Sequence, residues 1–134
     1  MIQVLGCGID LEELSRFKKN IPSLTNNTGF AQLVYTPAEI TCNLNFRPEF
    51  TFPLGFSCKE AFFKAVGVSW TNSKISWKDI ELLFLNKNNL RDYSIQLSGF
   101  AEEWCRNNKC NKIESDIEFT NVYVIFQVIL LSNV

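Results

Sequence analysis

Charged side chains stand inside an apolar segment near the middle of the chain, FSCKEAFFKAVG at residues 56–67. They are Lys59, Glu60 and Lys64. In a helix, Glu60 and Lys64 lie one above the other, because positions i and i+4 share a face. An amphipathic core helix with an exposed ion pair explains these residues without any function. In that interpretation Ser57 and Glu60 form a capping box, and Gly67 ends the helix in a left-handed conformation.

A second group of carboxylates follows MIQVLGCGI, a segment that predicts a short buried strand at residues 1–9. Asp10 stands where a helix is predicted to begin, and it can cap that helix as readily as it can bind a ligand. A carboxylate from this turn and Glu60 could converge on one magnesium ion, which prefers oxygen ligands and keeps waters and phosphates in its other positions. Lys64 would then contact a phosphate oxygen. The pattern is compatible with a phosphoryl-transfer site, but on the residues alone capping and ion pairing are the simpler explanation.

Helices that must position these groups are indicated before the central segment. DLEELSRFKKNI at residues 10–21 predicts a first helix, with Leu11, Leu14, Phe17 and Ile21 on its apolar face. TPAEI at residues 36–40 begins another, with Thr36 as the cap and Glu39 completing a capping box. NFRPEFTFPLG at residues 45–55 predicts a proline-interrupted connection.

Strands are indicated mainly in the second half of the chain. The predicted segments are DIELLFL at 79–85, YSIQLS at 93–98, KIESDIEF at 112–119 and VYVIFQVILL at 122–131, with a short helix at 99–108. The last strand is β-branched and nearly continuous in apolar residues, which predicts a central or interface position. This order predicts an α+β fold over residues 1–134, a compact single domain with helices packed on a mainly antiparallel sheet.

Composition excludes several classes of function. The chain has 134 residues, 13 basic and 14 acidic, which gives no support for a general nucleic-acid-binding surface. The longest apolar run is too short to span a membrane as a helix. Five cysteines lack C-x-x-C spacing, so reduced thiols in a cytoplasmic protein are predicted. There is no histidine. Hydrolysis by a Ser-His-Asp or Cys-His arrangement, general-base catalysis by histidine and metal binding by histidine are therefore all ruled out.

Two motifs together resemble a known family. GCGIDLEELSRF near the start and FSCKEAFFKAVG in the middle, with SWKDIELL downstream, are similar in order and spacing to the 4'-phosphopantetheinyl transferases. The resemblance is strongest to the short holo-[acyl-carrier-protein] synthase type. VYTPAEI and the terminal VYVIFQVIL also resemble segments of that family, so the likeness covers nearly the whole chain. It implies that type of α+β fold.

The resemblance assigns roles to individual residues. Asp10 and Glu60 match magnesium-binding carboxylates, and Glu12 matches a third acidic ligand of the larger, two-lobed members. Lys64 matches a lysine that contacts the pyrophosphate of coenzyme A, and Lys59 is a weaker phosphate candidate. Glu60 and Lys64 are the implied catalytic residues, with Glu60 helping to deprotonate a serine directly or through a bound water. A further residue, Arg16, matches an arginine that meets the acidic helix of the carrier protein.

The implied reaction is the magnesium-dependent transfer of 4'-phosphopantetheine from coenzyme A to a serine of an acyl or peptidyl carrier protein, as in fatty acid or polyketide biosynthesis. The short synthases also form trimers. Three family features are absent: a motif before the last strand that ends in histidine, a basic residue where Gly55 stands, and a glycine-lysine-proline turn. A catalytically impaired domain that binds a carrier protein or has a structural role is therefore the alternative.

Overall fold

The computed structural model describes residues 1–18, 29–69 and 71–133. The described elements are β1 (Ile2–Glu13), α1 (Leu14–Lys18), α2 (Phe30–Val34), α3 (Pro37–Asn45), α4 (Pro48–Val66), β2 (Ile80–Phe84), β3 (Tyr93–Leu97), α5 (Gly99–Asn107), β4 (Lys112–Phe119) and β5 (Tyr123–Asn133). A single 3-10 turn, Trp77–Asp79, leads into β2. The described strand pairs are all antiparallel, and the predicted α+β class is confirmed.

The strands form two sheets. β5 lies between β1 and β4 in a three-stranded sheet, and β2 pairs with β3 in a two-stranded one. The central position of β5 confirms the prediction from its nearly continuous apolar sequence, since a middle strand has neighbours along both edges. The hydroxyl groups of Tyr93 and Ser115 lie 2.6 Å apart and join the two sheets.

Helix α4 packs directly on β1 because β1 contains two glycines. A Cβ atom on Gly6 would lie 1.9 Å from the carbonyl oxygen of Ala65, and one on Gly8 would lie 1.9 Å from that of Ala61. Only hydrogen at these positions lets the two backbones approach so closely. The contact brings the C-terminal part of α4 against the strand that contains Asp10.

The first strand is longer than the sequence predicts, so the helix predicted from residue 10 is wrong at its start. β1 continues to Glu13, which pairs with Tyr123, and α1 begins only at Leu14. The long apolar strand β5 offers backbone partners over this whole length, and strand pairing therefore extends through residues 10–13. Asp10 is not a helix cap, and Ile21 lies outside the described residues.

Helix α4 is also longer than predicted. It starts at Pro48, where a proline costs no hydrogen bond, and it contains Pro53, so residues 48–55 are helical rather than a connection. Ser57 is therefore inside the helix and caps nothing; its hydroxyl donates to the backbone oxygen of Asp10 at 2.9 Å. The helix ends before Gly67 at φ 83°, as predicted. The capping box of Thr36 and Glu39 on α3 is confirmed.

Aromatic side chains fill much of the core. Trp77 stacks on Phe56 with ring centroids 5.2 Å apart and meets the edge of Phe63 at the same distance. Trp77 is buried in this cluster, and Trp104 is partly buried against the core. Cys58 and Cys105 are buried free thiols, whereas Cys7 is exposed.

No helix in the described ranges has the length and apolar character needed to cross a bilayer.

Candidate functional site

Two carboxylates of β1 point into the protein rather than into solvent. Asp10 is 7% exposed and Glu12 is 6% exposed, while the intervening Leu11 is 52% exposed. Alternate residues of a strand face opposite sides, so both acids share the face that packs on α4. This inverts the usual binary pattern, in which apolar residues face the core. A buried acidic pair of this kind requires neighbouring cations, bound ligands or protonation of one of its members.

Lys64 of α4 provides part of that compensation. Its ammonium nitrogen lies 2.9 Å from Oδ1 of Asp10 and 3.0 Å from the backbone oxygen of Ile9. The side chain is 51% exposed, so one side of the ammonium group stays open to solvent. Lys64 therefore joins α4 to β1 through Asp10, which is a different contact from the predicted ion pair with Glu60 along the helix.

Burial and the charge of Asp10 raise the pKa values of Glu12 and Glu60. Burial raises the pKa of Glu12 from 4.5 to about 8, helped by hydrogen bonding to Asp10 and by the charges of Asp10 and Glu60, while Arg16 lowers it. Burial and the charge of Asp10 also raise the pKa of Glu60, against the opposing effect of Lys64. The charge of Asp10 acts on both Glu12 and Glu60, and the charge of Glu60 acts on Glu12. The three carboxyl groups therefore share one acidic region between β1 and α4.

These residues suit a hard cation in part. Oδ2 of Asp10 is buried, and when Glu12 is ionised none of the described residues donates a hydrogen bond to it. Across the same ranges, no group of three or more acidic, cysteine or histidine side chains is arranged to hold a metal ion by itself. Magnesium needs only one or two protein carboxylates when waters and phosphates supply its other ligands. The orphaned oxygen and the repelling carboxylates therefore fit magnesium shared with a phosphorylated substrate.

Lys59 occupies a different environment from the other charges of its segment. Its side chain is 0% exposed and its ammonium nitrogen lies 2.8 Å from Oε1 of Glu39. It also donates to the backbone oxygens of Trp77 and Ile80, so its three protons are all engaged inside the protein. This placement argues against the predicted phosphate contact. Consecutive residues of a helix are about 100° apart around its axis, so Lys59 and Glu60 face different surroundings.

Arg16 lines a small, partly aromatic pocket that the sequence did not predict. Its guanidinium is 3.6 Å from Glu12, and its side chain is 73% exposed. The pocket of about 140 Å³ is lined by Glu12, Arg16, Phe17, Phe30 and Phe56. The spacing of Phe56 four residues before Glu60 was an available signal, since both fall on one helix face. No comparable signal marked Phe30.

Comparison with known proteins identifies the family. The family model of the 4'-phosphopantetheinyl transferase superfamily matches residues 6–122. The chain therefore belongs to the 4'-phosphopantetheinyl transferase superfamily, as its two motifs predict.

Several relatives are holo-[acyl-carrier-protein] synthases. The chain is 35% identical to that of Geotalea daltonii over 81 residues, which span 60% of this chain and 62% of the relative. It is 30% identical to that of Chloroherpeton thalassium over 124 residues, which span 92% of this chain and 94% of the relative. A match to that of Cytophaga hutchinsonii spans 50% of the relative's length at 39% identity.

Solved structures share the fold. A holo-ACP-synthase from Plasmodium yoelii superposes with a TM-score of 0.75 at 20% identity, covering 100% of this chain and 99% of that one. A holo-(acyl-carrier-protein) synthase from Bacillus anthracis in complex with CoA (3',5'-ADP) has a TM-score of 0.71 at 23% identity, covering 97% and 98% of the two chains. At these identities the likeness establishes the architecture alone.

Proposed function

We propose that this chain transfers the 4'-phosphopantetheine group from coenzyme A to a serine of an acyl or peptidyl carrier protein. One observation carries the proposal: Asp10, Glu60 and Lys64, which come from two distant motifs, meet in one acidic region between β1 and α4. Relatives named holo-[acyl-carrier-protein] synthase and a Bacillus anthracis structure in complex with CoA support the choice of substrates.

The proposed residue roles follow from charge and exposure. Lys64 contacts the pyrophosphate of coenzyme A through the open side of its ammonium group. Glu60 helps to deprotonate the carrier serine, directly or through a bound water, since its carboxylate lies in the same region as Asp10 and Lys64. The serine oxygen then attacks the phosphorus next to pantetheine. The phosphorus–oxygen bond to the nucleotide breaks, and adenosine 3',5'-bisphosphate leaves.

Magnesium is proposed to bind Asp10 and Glu60, with Glu12 as a third candidate ligand. When bound, it neutralises charge that develops on the transferred phosphoryl group. The buried Oδ2 of Asp10 supports this assignment, because the described residues donate no hydrogen bond to it when Glu12 is ionised.

The carrier protein is proposed to dock beside Arg16. An exposed arginine can bind a carboxylate of an acidic helix through two parallel hydrogen bonds. The neighbouring aromatic pocket adds apolar surface for the same partner. We place the reaction in the cytoplasm, where the free thiols among the described residues would stay reduced.

A homotrimer is proposed from the outer face of the three-stranded sheet. Ile9 is 57% exposed and Leu11 is 52% exposed on this face. Leu11 pairs with Ile125, and Cys7 pairs with Ile129, so the apolar surface continues onto β5. Exposed apolar surface of this kind marks association sites, and a second and third copy would cover it.

The deciding experiment is mass spectrometry of apo carrier proteins incubated with this protein, coenzyme A and magnesium. The expected result is a gain of one phosphopantetheine on a carrier serine. Glu60→Gln should stay folded, because the amide keeps the size of the side chain, and should lose transfer and magnesium-dependent coenzyme A binding. A carrier that binds without gaining mass would favour the alternative, a catalytically impaired carrier-binding or structural domain, which the missing histidine motif also favours.

A further inference from the structure

A buried ion pair connects α4 to α3 and β2 on the side away from the acidic region. The carboxylate of Glu39 and the ammonium of Lys59 are both 0% exposed. Oε1 of Glu39 also accepts from the backbone N–H of Thr36 at 3.0 Å, and Oε2 accepts from that of Leu82 at 3.1 Å. Every polar group of the pair therefore has a partner.

Such a pair is an inefficient way to stabilise a core. Removing two charges from water costs more than their attraction returns in many proteins, and apolar side chains of similar volume are often neutral or better. The directional contacts to Glu39, Trp77 and Ile80 do something that apolar packing cannot, because they fix where the ammonium group lies. The position of Lys59 then fixes the rotation of α4 about its axis.

The opposite side of α4 is held by the glycine contacts with β1. Gly6 and Gly8 let the backbone of α4 reach β1 and so determine the distance between helix and strand. The glycines contribute no side chain that could resist rotation of the helix, and on this side α4 is held by the bonds of Ser57 and Lys64 to β1. The buried pair adds a second constraint on rotation from the other side. Glu60 follows Lys59 directly, so a rotation that displaces the ammonium group moves the Glu60 carboxylate relative to Asp10 as well.

We propose that Glu39 and Lys59 are positioning residues that orient Glu60 towards Asp10. The inference rests on the proposed function, since it concerns the site that would bind magnesium and coenzyme A. Neither residue touches the substrates. Their effect passes through the rotation of α4, as outer residues that orient metal ligands act in other proteins.

The test replaces the pair by apolar side chains of similar size, Glu39→Leu with Lys59→Met. Coenzyme A binding is measured calorimetrically with and without magnesium, at a temperature where circular dichroism shows each variant folded. We expect lower unfolding stability, because backbone groups of Thr36, Leu82 and Ile80 lose their hydrogen-bond partners. In the protein that remains folded, we expect magnesium-dependent affinity lower by about tenfold or more. A purely structural pair would leave the affinity of the folded protein unchanged.

Two further variants separate positioning from stability. Leu90→Ala removes a buried side chain of the β2–β3 turn, outside the elements that carry the carboxylates, and should lower stability without changing affinity. Glu39→Asp keeps the charge but shortens its reach, and should lower affinity even if the double variant fails to fold. Wild-type affinity in Glu39→Asp, or in a folded double variant, overturns the positioning role. Metal-independent binding by wild type would instead contradict the proposed function.

Discussion

Glu12 should make the stability of the metal-free protein depend on pH. Its folded-state pKa is about 8 against an ordinary value of 4.5, so the unfolded chain loses this proton at lower pH. Stability should therefore be highest below about 4.5 and fall as pH rises to about 8, as far as this group is concerned. Urea unfolding in EDTA checks this, and Glu12→Gln should flatten the profile. An equal decline in Glu12→Gln would assign the effect elsewhere.

Arg16 should affect carrier binding more than folding. Arg16→Ala is expected to raise the KM for the carrier protein and to leave coenzyme A affinity unchanged. Thermal stability should change little, since the Arg16 side chain is 73% exposed and its guanidinium lies 3.6 Å from Glu12, so solvent screens much of the attraction. Wild-type carrier binding should weaken with added salt, because exposed charges are screened. Carrier titrations at two ionic strengths measure both effects, and equal binding by the variant at low salt would move the docking surface away from Arg16.

The sequence was sufficient to nominate Asp10, Glu60 and Lys64, because the two motifs that contain them occur in the order and spacing of a known family. It could not separate Lys59 from Lys64. Both are lysines of one helix, and only the partner Glu39, 20 residues away in sequence, shows which one is buried. Long-range ion pairs of this kind leave no periodic signal in a single sequence.

At the scale of elements, the contact between β1 and α4 should be sensitive to one methyl group. Gly8→Ala would place a Cβ atom 1.9 Å from the Ala61 carbonyl oxygen and should destabilise the protein by about 1–3 kcal/mol through backbone displacement. Gly55→Ala, inside α4, is the matched control. Its Cβ would lie 3.3 Å from the ring of Tyr35, and the gain in helix propensity of about 1 kcal/mol should offset that contact. Denaturant unfolding of both variants compares them, and similar stabilities would argue against direct backbone packing.

The boundaries of β1 and α4 were less predictable than their existence. Leu11 and Leu14 have helical spacing, but pairing with β5 holds residues 10–13 in a strand and leaves Leu11 exposed. The interpretation of Pro48 and Pro53 as breaks failed for a different reason. Pro48 occupies the first turn of α4, where its missing N–H is not needed, and the packed helix tolerates Pro53. Tertiary contacts decided both cases.

At the scale of the whole molecule, the outer sheet face should control association. Wild type is expected to sediment as a trimer, and Ile9→Lys as a monomer, because a charge would be buried in the interface. Leu85→Lys is the control, since Leu85 is exposed to a similar extent, 59% against 57% for Ile9, but does not belong to this face. A trimeric Ile9→Lys, or a monomeric wild type, would exclude the proposed interface.

The contacts along β2 also bear on how the protein avoids aggregation. One edge of β2 pairs with β3, while main-chain groups of Ile80, Leu82 and Phe84 are bonded by side chains of α3 and α4. Those side chains are Lys59, Glu39 and Cys42. A strand from another molecule could not pair with this edge of β2, because the hydrogen-bonding groups of the edge are already engaged. Loss of the buried ion pair would therefore also leave backbone groups at this edge of β2 free to pair with another molecule. Variants that lack the pair should form intermolecular β-structure more readily than variants of equal stability that keep it.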